Sequence, residues 1–173
     1  MSCFACHLKK NSENPLCFWK DDLKEVLQLC LESDAIVIGT PIYYGSISSS
    51  AQAFLERLLF AADTYVLDED ENRVSKIKKE IKTAMIYTMN VTKEMDYFNG
   101  EDQLAIMRGY LTAIFGECES LYAYDTKQFK KYDPYLNNTF DPELKEQSKE
   151  VQFPKDCKKA YELGERLSKL NSE

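Results

Sequence analysis

The spacing of apolar positions changes period along this chain, and each change marks an element. Between Asp21 and Glu32, Leu23, Val26, Leu27, Cys30 and Leu31 recur at helical spacing, and Asp22 with Glu25 has the pattern of a capping box. The next run, Ala35 to Gly39, is short, rich in β-branched residues and closed by Gly and Pro. It reads as a strand buried on both faces, as in a parallel sheet. From Ile47 the helical period returns, with Ile47, Ala51, Phe54, Leu55, Leu58 and Leu59 on one face and Ser46 or Ser48 placed to cap the start. Thr83 to Thr88 is a further strand. The helix Asp102 to Phe115 follows, carrying Leu104, Met107, Leu111, Ile114 and Phe115 on its apolar side, with Gly116 placed to end it. Met107 suits core filling better than ligand binding. Ser120 to Tyr124 reads as a third strand, and a last helix starts near Asp156 with Cys157, Ala160, Tyr161, Gly164 and Leu167 inward.

Strands alternating with helices predict an α/β fold on a parallel sheet. Two stretches fall outside the periods. Asp63 to Lys82 is charged and reads as a solvated excursion. Asp125 to Pro154 sets Phe129, Tyr132, Tyr135, Phe140 and Phe153 among polar residues, so it wraps the domain or meets a partner subunit.

A length of 173 residues suits one domain, and 44% hydrophobic residues suffice for a core. A net charge of -7 without a basic run argues against nucleic acid and anionic membranes as partners. No apolar segment approaches a membrane span, and the amino end lacks the regions of a signal peptide, which favours the cytoplasm. Six cysteines are too few for a disulfide scaffold at this size; Cys30 and Cys157 fall on helix faces predicted to pack inward, so reduced thiols are expected.

The first candidate site is the loop Thr40-Pro-Ile-Tyr-Tyr-Gly-Ser46, beyond the carboxyl end of a parallel strand, where open α/β sheets place their ligands. Tyr43 and Tyr44 offer flat faces to a planar ring, Gly45 admits close approach to the backbone, and Pro41 stiffens the entry. An ordinary strand-to-helix connection with exposed tyrosines is the competing reading. A second candidate is Cys3, Cys6 and Cys17 with His7 nearby. A metal or iron-sulfur site needs four ligands or an accepted substitute, and the spacer before Cys17 is long for one, so a loop near the ligand site or a dimer surface is favoured over a bound metal. A nucleophilic Cys6/His7 pair lacks an orienting partner, and His7 reads as incidental.

Two stretches carry a family resemblance. "SDAIVIGTPIYYGSISSSAQAFLERL", from Ser33 to Leu58, resembles the isoalloxazine-binding loop of the NAD(P)H-dependent FMN reductases and iron-sulfur flavoproteins, a branch of the flavodoxin-like fold. Upstream, Cys3-Phe-Ala-Cys6, a spacer, Cys17 and Lys20-Asp-Asp-Leu23 follow the order seen in that family. The resemblance implies one flavodoxin-like domain over residues 1–173, a three-layer α/β/α arrangement with strand order 2-1-3-4-5, of which the third, fourth and fifth strands are visible. The first strand and the Ser/Gly-rich phosphate loop are not found. The expectation is an N-terminally incomplete domain, through a start assigned at an internal Met or a shortened paralogue, with Ala35–Gly39 left as an edge strand.

The resemblance further implies FMN, with Thr40, Pro41 and Ile42 shaping the loop and Tyr43 and Tyr44 flanking or stacking on the ring. Gly45 and Ser46 would meet its polar edge. Thr88, Met89 and Asn90 would form a second flavin-contacting loop. The implied reaction carries hydride or electrons from NAD(P)H through the flavin to a small-molecule or protein acceptor, in a homodimer or larger assembly. No residue stands out as a general acid or base. Two other readings stay open: an iron-sulfur electron carrier on the same fold, and a non-catalytic remnant that pairs through its exposed strand.

Overall fold

A computed structural model of the chain describes residues 3–95 and 100–169. Four strands, β1 (Ala35–Tyr43), β2 (Ser46–Ile47), β3 (Lys82–Thr88) and β4 (Cys118–Ala123), form one sheet in the order β2-β1-β3-β4. β1, β3 and β4 run parallel, from Ala35 opposite Lys82 to Pro41 opposite Thr88, and from Thr83 opposite Cys118 to Thr88 opposite Ala123. This is the expected succession of the third, fourth and fifth strands.

Helices α1 (Leu23–Glu32), α2 (Ser49–Ala62) and α3 (Gly100–Phe115) share one face of the sheet. Their periodic residues bury there: Leu27, Leu55, Leu58, Leu111 and Phe115 pack with Ile36, Ile38, Met85 and Tyr87 in one cluster. Each fully buried side chain of this size contributes about 1.5–3 kcal/mol, so this cluster is the main source of stability. Cys30 packs against its margin, as its position in the helical period implied. The capping box does not form: Asp22 has helical backbone angles and its side chain makes no capping bond, so α1 starts at Leu23. Ser48 caps α2, accepting from the Ala51 amide at 3.3 Å.

The opposite face carries α4 (Pro142–Ser168), whose Leu163 and Leu167 meet Ala84, with Ala35, Ile86 and Leu121 at the edges of the contact. α4 departs furthest from expectation. It begins 14 residues before Asp156, with Asp141 accepting from the Glu143 amide at 2.8 Å and Pro142 in the first turn. It then continues through Pro154, which lacks an N–H and so reads in a sequence as a boundary. The inward face is also rotated. Lys145, Asp156, Leu163 and Leu167 are buried, whereas Cys157, Tyr161 and Gly164 are exposed and Ala160 is half-buried.

Because α4 covers β3 and β4 and reaches β1 only at Ala35, the strand predicted to be buried on both faces alternates instead. Ile36, Ile38 and Thr40 are buried, while Val37 is 51% exposed and Gly39 and Pro41 are also exposed. The Lys82 amide donates to the Asp34 carbonyl, so even-numbered residues of β1 face β3. Ala35, Val37 and Gly39 therefore turn their ladder groups outward, and among the described residues only β2 pairs on that side, at Ile42 and Tyr43.

The charged excursion between α2 and β3 is more ordered than its composition suggests. Asp68 Oδ1 accepts from the Asp70 and Asn72 amides at 3.0 and 2.8 Å, Leu67 bridges Arg73, and Arg73 pairs with the buried Asp63. Of its lysines, Lys76 is buried. No helix among the described residues is long and apolar enough to cross a membrane.

Candidate functional site

The carboxyl ends of the parallel strands meet at the stretch Thr40 to Ser46. The chain forms a tight hairpin there, since β1 runs on to Tyr43 and β2 starts at Ser46. Tyr44 and Gly45 at its tip have φ of 52° and 77°, the paired left-handed geometry of a type I′ turn. Gly45 accepts that geometry without strain, whereas Tyr44 has a side chain and carries some. The sequence signal for this turn is weak because Tyr-Gly replaces the usual Asn-Gly or Asp-Gly.

The hairpin divides the predicted residues. Tyr43 and Tyr44 project into solvent, 59% and 108% exposed, with Pro41 and Ser46 also exposed. Ile42 packs at the core margin, and Gly45 lies 3.5 Å, measured from an ideal Cβ, from Gln103 Oε1 at the start of α3. Thr40 faces inward at 3% exposure. Its hydroxyl accepts from the Ser48 amide at 3.1 Å and lies 3.2 Å from Ser48 Oγ, coupling the hairpin to the cap of α2. Thr40 thus positions the turn from below.

The end of β3 forms the adjoining wall. Thr88 is half-buried and Met89 is buried in the core cluster. The Met89 amide donates to the Ala123 carbonyl, and its own carbonyl accepts from the Thr126 amide at 2.9 Å and the Thr126 hydroxyl at 3.0 Å. Met89 therefore ties β3 to β4, and its part in a ligand site is structural. Asn90 Nδ2 donates to Gln128 Oε1 at 3.1 Å, while Asn90 Oδ1 is buried without a partner among the described residues.

Lys145, which nothing in the sequence singled out, holds this wall in place. From the first turns of α4 its Nζ reaches Asp125 Oδ1 at 2.5 Å and the Asn90 carbonyl, and it lies 4.7 Å from the centre of the Phe140 ring. Asp125 sits at φ 56°, strained for a residue with a side chain, and the ion pair helps to hold it there. A lysine four residues into a polar helix carries no periodic signal, so only the meeting of α4 with the ends of β3 and β4 exposes its task.

The cysteine arm lies elsewhere. Cys6 is in a 3-10 turn (Ala5–His7) whose carbonyl groups face the end of α2: Lys76 Nζ donates to the Cys6 carbonyl at 2.7 Å and to the Ala61 carbonyl at 3.0 Å. His7 Nε2 hydrogen-bonds the Phe60 carbonyl at 2.8 Å, and its ring lies between Phe60 and Tyr65. His7 is thus an anchor of the arm. α2 carries the chain back from the hairpin, so its last turn lies ~20 Å from its cap at 1.5 Å per residue. Cys17 accepts from Arg57 Nη2 at 3.6 Å while the same guanidinium bonds Asp21 at 2.6 Å. Among the described residues, no three His, Cys, Asp or Glu side chains are grouped so as to hold a metal ion.

The family model described as flavodoxin-like fold matches residues 3–124. An iron-sulfur flavoprotein of Archaeoglobus fulgidus is 44% identical over 41 residues, which are 24% of this chain and 20% of that protein. An iron-sulfur flavoprotein of Methanocaldococcus jannaschii is 33% identical over 55 residues, 32% of this chain and 28% of that protein. The matched stretches thus span 20% to 28% of these curated relatives. A crystal structure of an NADPH-quinone reductase from P. pentosaceus superposes on 74% of this chain and 70% of that one, at 10% identity and a TM-score of 0.45.

The cluster carried in the relatives' names does not fit the thiols of this chain. Such a cluster takes four ligands. The arm supplies Cys3, Cys6 and Cys17 without the required grouping, and Cys30, Cys118 and Cys157 belong to α1, β4 and α4.

Proposed function

Since the chain belongs to the flavodoxin-like fold family, with residues 3–124 matching its model, we propose that it binds FMN at the Tyr43–Ser46 hairpin and serves a flavin-dependent oxidoreductase. The observation that carries this reading is the hairpin itself: two solvent-facing tyrosine rings on a tight turn at the carboxyl end of a parallel strand, next to the end of β3 where Asn90 Oδ1 is buried without a partner among the described residues. Pro41, Tyr43, Tyr44, Gly45 and Ser46 would hold the ring system, with Thr88 and Asn90 on the second wall. Thr40 and Met89 would fix these walls from the core side. When bound, FMN supplies the hydride and electron chemistry, drawing on NAD(P)H and passing to a small-molecule or protein acceptor. The protein's contribution is orientation. The Thr40–Ser48 contact sets the angle of the tyrosines, and Lys145 keeps Asn90 and Asp125 together.

Titrating FMN into the 173-residue chain tests this directly. Saturable quenching of flavin fluorescence is expected, and replacing both Tyr43 and Tyr44 by Ala should weaken binding about tenfold, equivalent to about 1.4 kcal/mol, without lowering thermal stability. Flavin that stays fully fluorescent at high protein concentration would rule the reading out.

A second reading has its own observation. The outward ladder groups of Ala35, Val37 and Gly39 are suited to strand pairing with another copy, which would give a homodimer. Sedimentation of the wild type beside Val37→Lys separates the cases: a shift from dimer to monomer supports pairing there, and a monomeric wild type excludes it.

A further inference from the structure

The Cys3-Phe-Ala-Cys6 turn has no task in flavin binding. Its backbone is fixed from several directions. The His7 amide donates to the Phe4 carbonyl at 3.0 Å, Asn11 Nδ2 to the Ala5 carbonyl at 2.6 Å, and Lys76 Nζ to the Cys6 carbonyl at 2.7 Å. Cys6 lies in this turn and Cys3 precedes it by three positions, the Cys-x-x-Cys spacing of dithiol redox couples.

The two thiols differ in access. Cys3 is exposed and Cys6 is buried, and both line, together with the half-buried Cys17, one cavity of about 860 Å³ with aromatic walls at Phe4, Trp19 and Phe60. Burial pushes the Cys6 thiol up, opposed by the nearby Lys76 ammonium, and the neighbouring Cys17 and Cys3 add slightly to the rise. Cys17 is engaged separately by Arg57. Cys30, Cys118 and Cys157 lie on α1, β4 and α4.

We propose that Cys3 and Cys6 form a dithiol–disulfide couple that exchanges with small-molecule disulfides, in place of a metal cluster. The Cys3 thiolate attacks one sulfur of the incoming disulfide, whose S–S bond breaks, and the first small thiolate leaves and takes up a proton. Cys6 then loses its proton, and its sulfur attacks the Cys3 sulfur of the mixed disulfide, expelling the second small thiol. Each Cys3–Cys6 bond formed passes two electrons to the external disulfide and yields two small thiols. The division of labour follows from access: the exposed thiol meets the reagent, and the buried one resolves the mixed disulfide.

The test uses the reduced full chain, oxidised glutathione, alkylation of remaining thiols and tryptic mass mapping. Trypsin cleaves after Lys9 and Lys10, leaving Cys3 and Cys6 in one peptide and Cys17 in another. The expected product is the N-terminal peptide lighter by two hydrogens and closed to alkylation. Cys17→Ser should leave it unchanged, and Cys6→Ser should stop at glutathione attached to Cys3. Incubation of the reduced chain with ferrous iron and sulfide without oxygen should leave no bound iron. The proposal falls if Cys3 and Cys6 remain alkylatable, if the N-terminal peptide is found joined to the Cys17 peptide, or if a cluster is retained in wild type and lost in Cys3→Ser. Far-UV circular dichroism of each variant shows that the fold is intact, and no step requires flavin.

Discussion

Two buried lysines hold opposite ends of this molecule, and they are satisfied in different ways. Lys76, 5% exposed, makes its hydrogen bonds to backbone carbonyls: Cys6 at 2.7 Å, Ala61 at 3.0 Å and Asn14 at 3.5 Å. It sits at the carboxyl end of α2, where the helix dipole favours a cation and the last carbonyls lack helical partners. Lys145, 2% exposed, is instead in an ion pair with Asp125 and takes the Asn90 carbonyl as well. The first arrangement staples an arm to a helix end with dipoles. The second places a full charge opposite another, where removing one partner strands the other.

That contrast makes Lys145→Met more damaging than the loss of Lys76 or of Glu146. A cost of about 3 kcal/mol is expected, at the low end for a broken buried pair because the Asp125 side chain is 28% exposed. A fall in the urea midpoint measures it, and FMN affinity should fall with it as Asn90 loosens. Pairing the change with Asp125→Asn sharpens the point: the double variant should be less damaged than the sum of the single ones. Lys76→Met should cost about 1–2 kcal/mol, since it leaves carbonyls rather than a carboxylate unpaired. Its signature is faster hydrogen exchange at the amides of His7, Asn11 and Asn14. A Lys76 variant less stable than the Lys145 variant would overturn the comparison.

The smallest effect belongs to a half-buried carboxylate held between two lysines. Lys127 first, and then Lys149, holds the Glu146 carboxyl down at about 2. Its contribution is therefore complete above the ordinary carboxylate range and is lost as pH falls from about 4.5 toward 2. Glu146→Gln should flatten this part of an acid titration of stability, with the urea midpoint slightly below wild type at neutral pH and converging on it as the pH falls toward 2.

How far each region was legible follows from what kind of interaction made it. Lys82–Thr88 and Gly100–Phe115 lie within two residues of their expected bounds, because each is a local run of apolar residues facing one core. Ser48 was one of two capping candidates, and the Thr40 hydroxyl accepting from its amide distinguishes it from Ser46. The tyrosines of the candidate site were legible as residues but not as a turn, since Tyr44 adopts a left-handed conformation that its own side chain disfavours. The start of α4 is hidden in the sequence because Pro154 resembles a boundary, and its inward face is hidden because Cys157 and Tyr161 look apolar while the buried positions include Lys145 and Asp156.

By itself the sequence determined the alternation of strand and helix, the parallel sheet and the family, because side-chain period and short motifs act over a few residues. Tertiary structure decided which face of β1 stays open, which lysines are buried and how the thiols are grouped. These depend on contacts between distant residues: Lys76 meets Cys6 across 70 positions, Lys145 meets Asn90 across 55, and His7 meets Phe60 across 53. No local pattern records such a meeting, since a lysine in a polar stretch reads as solvated until the fold brings carbonyls or a carboxylate to its nitrogen.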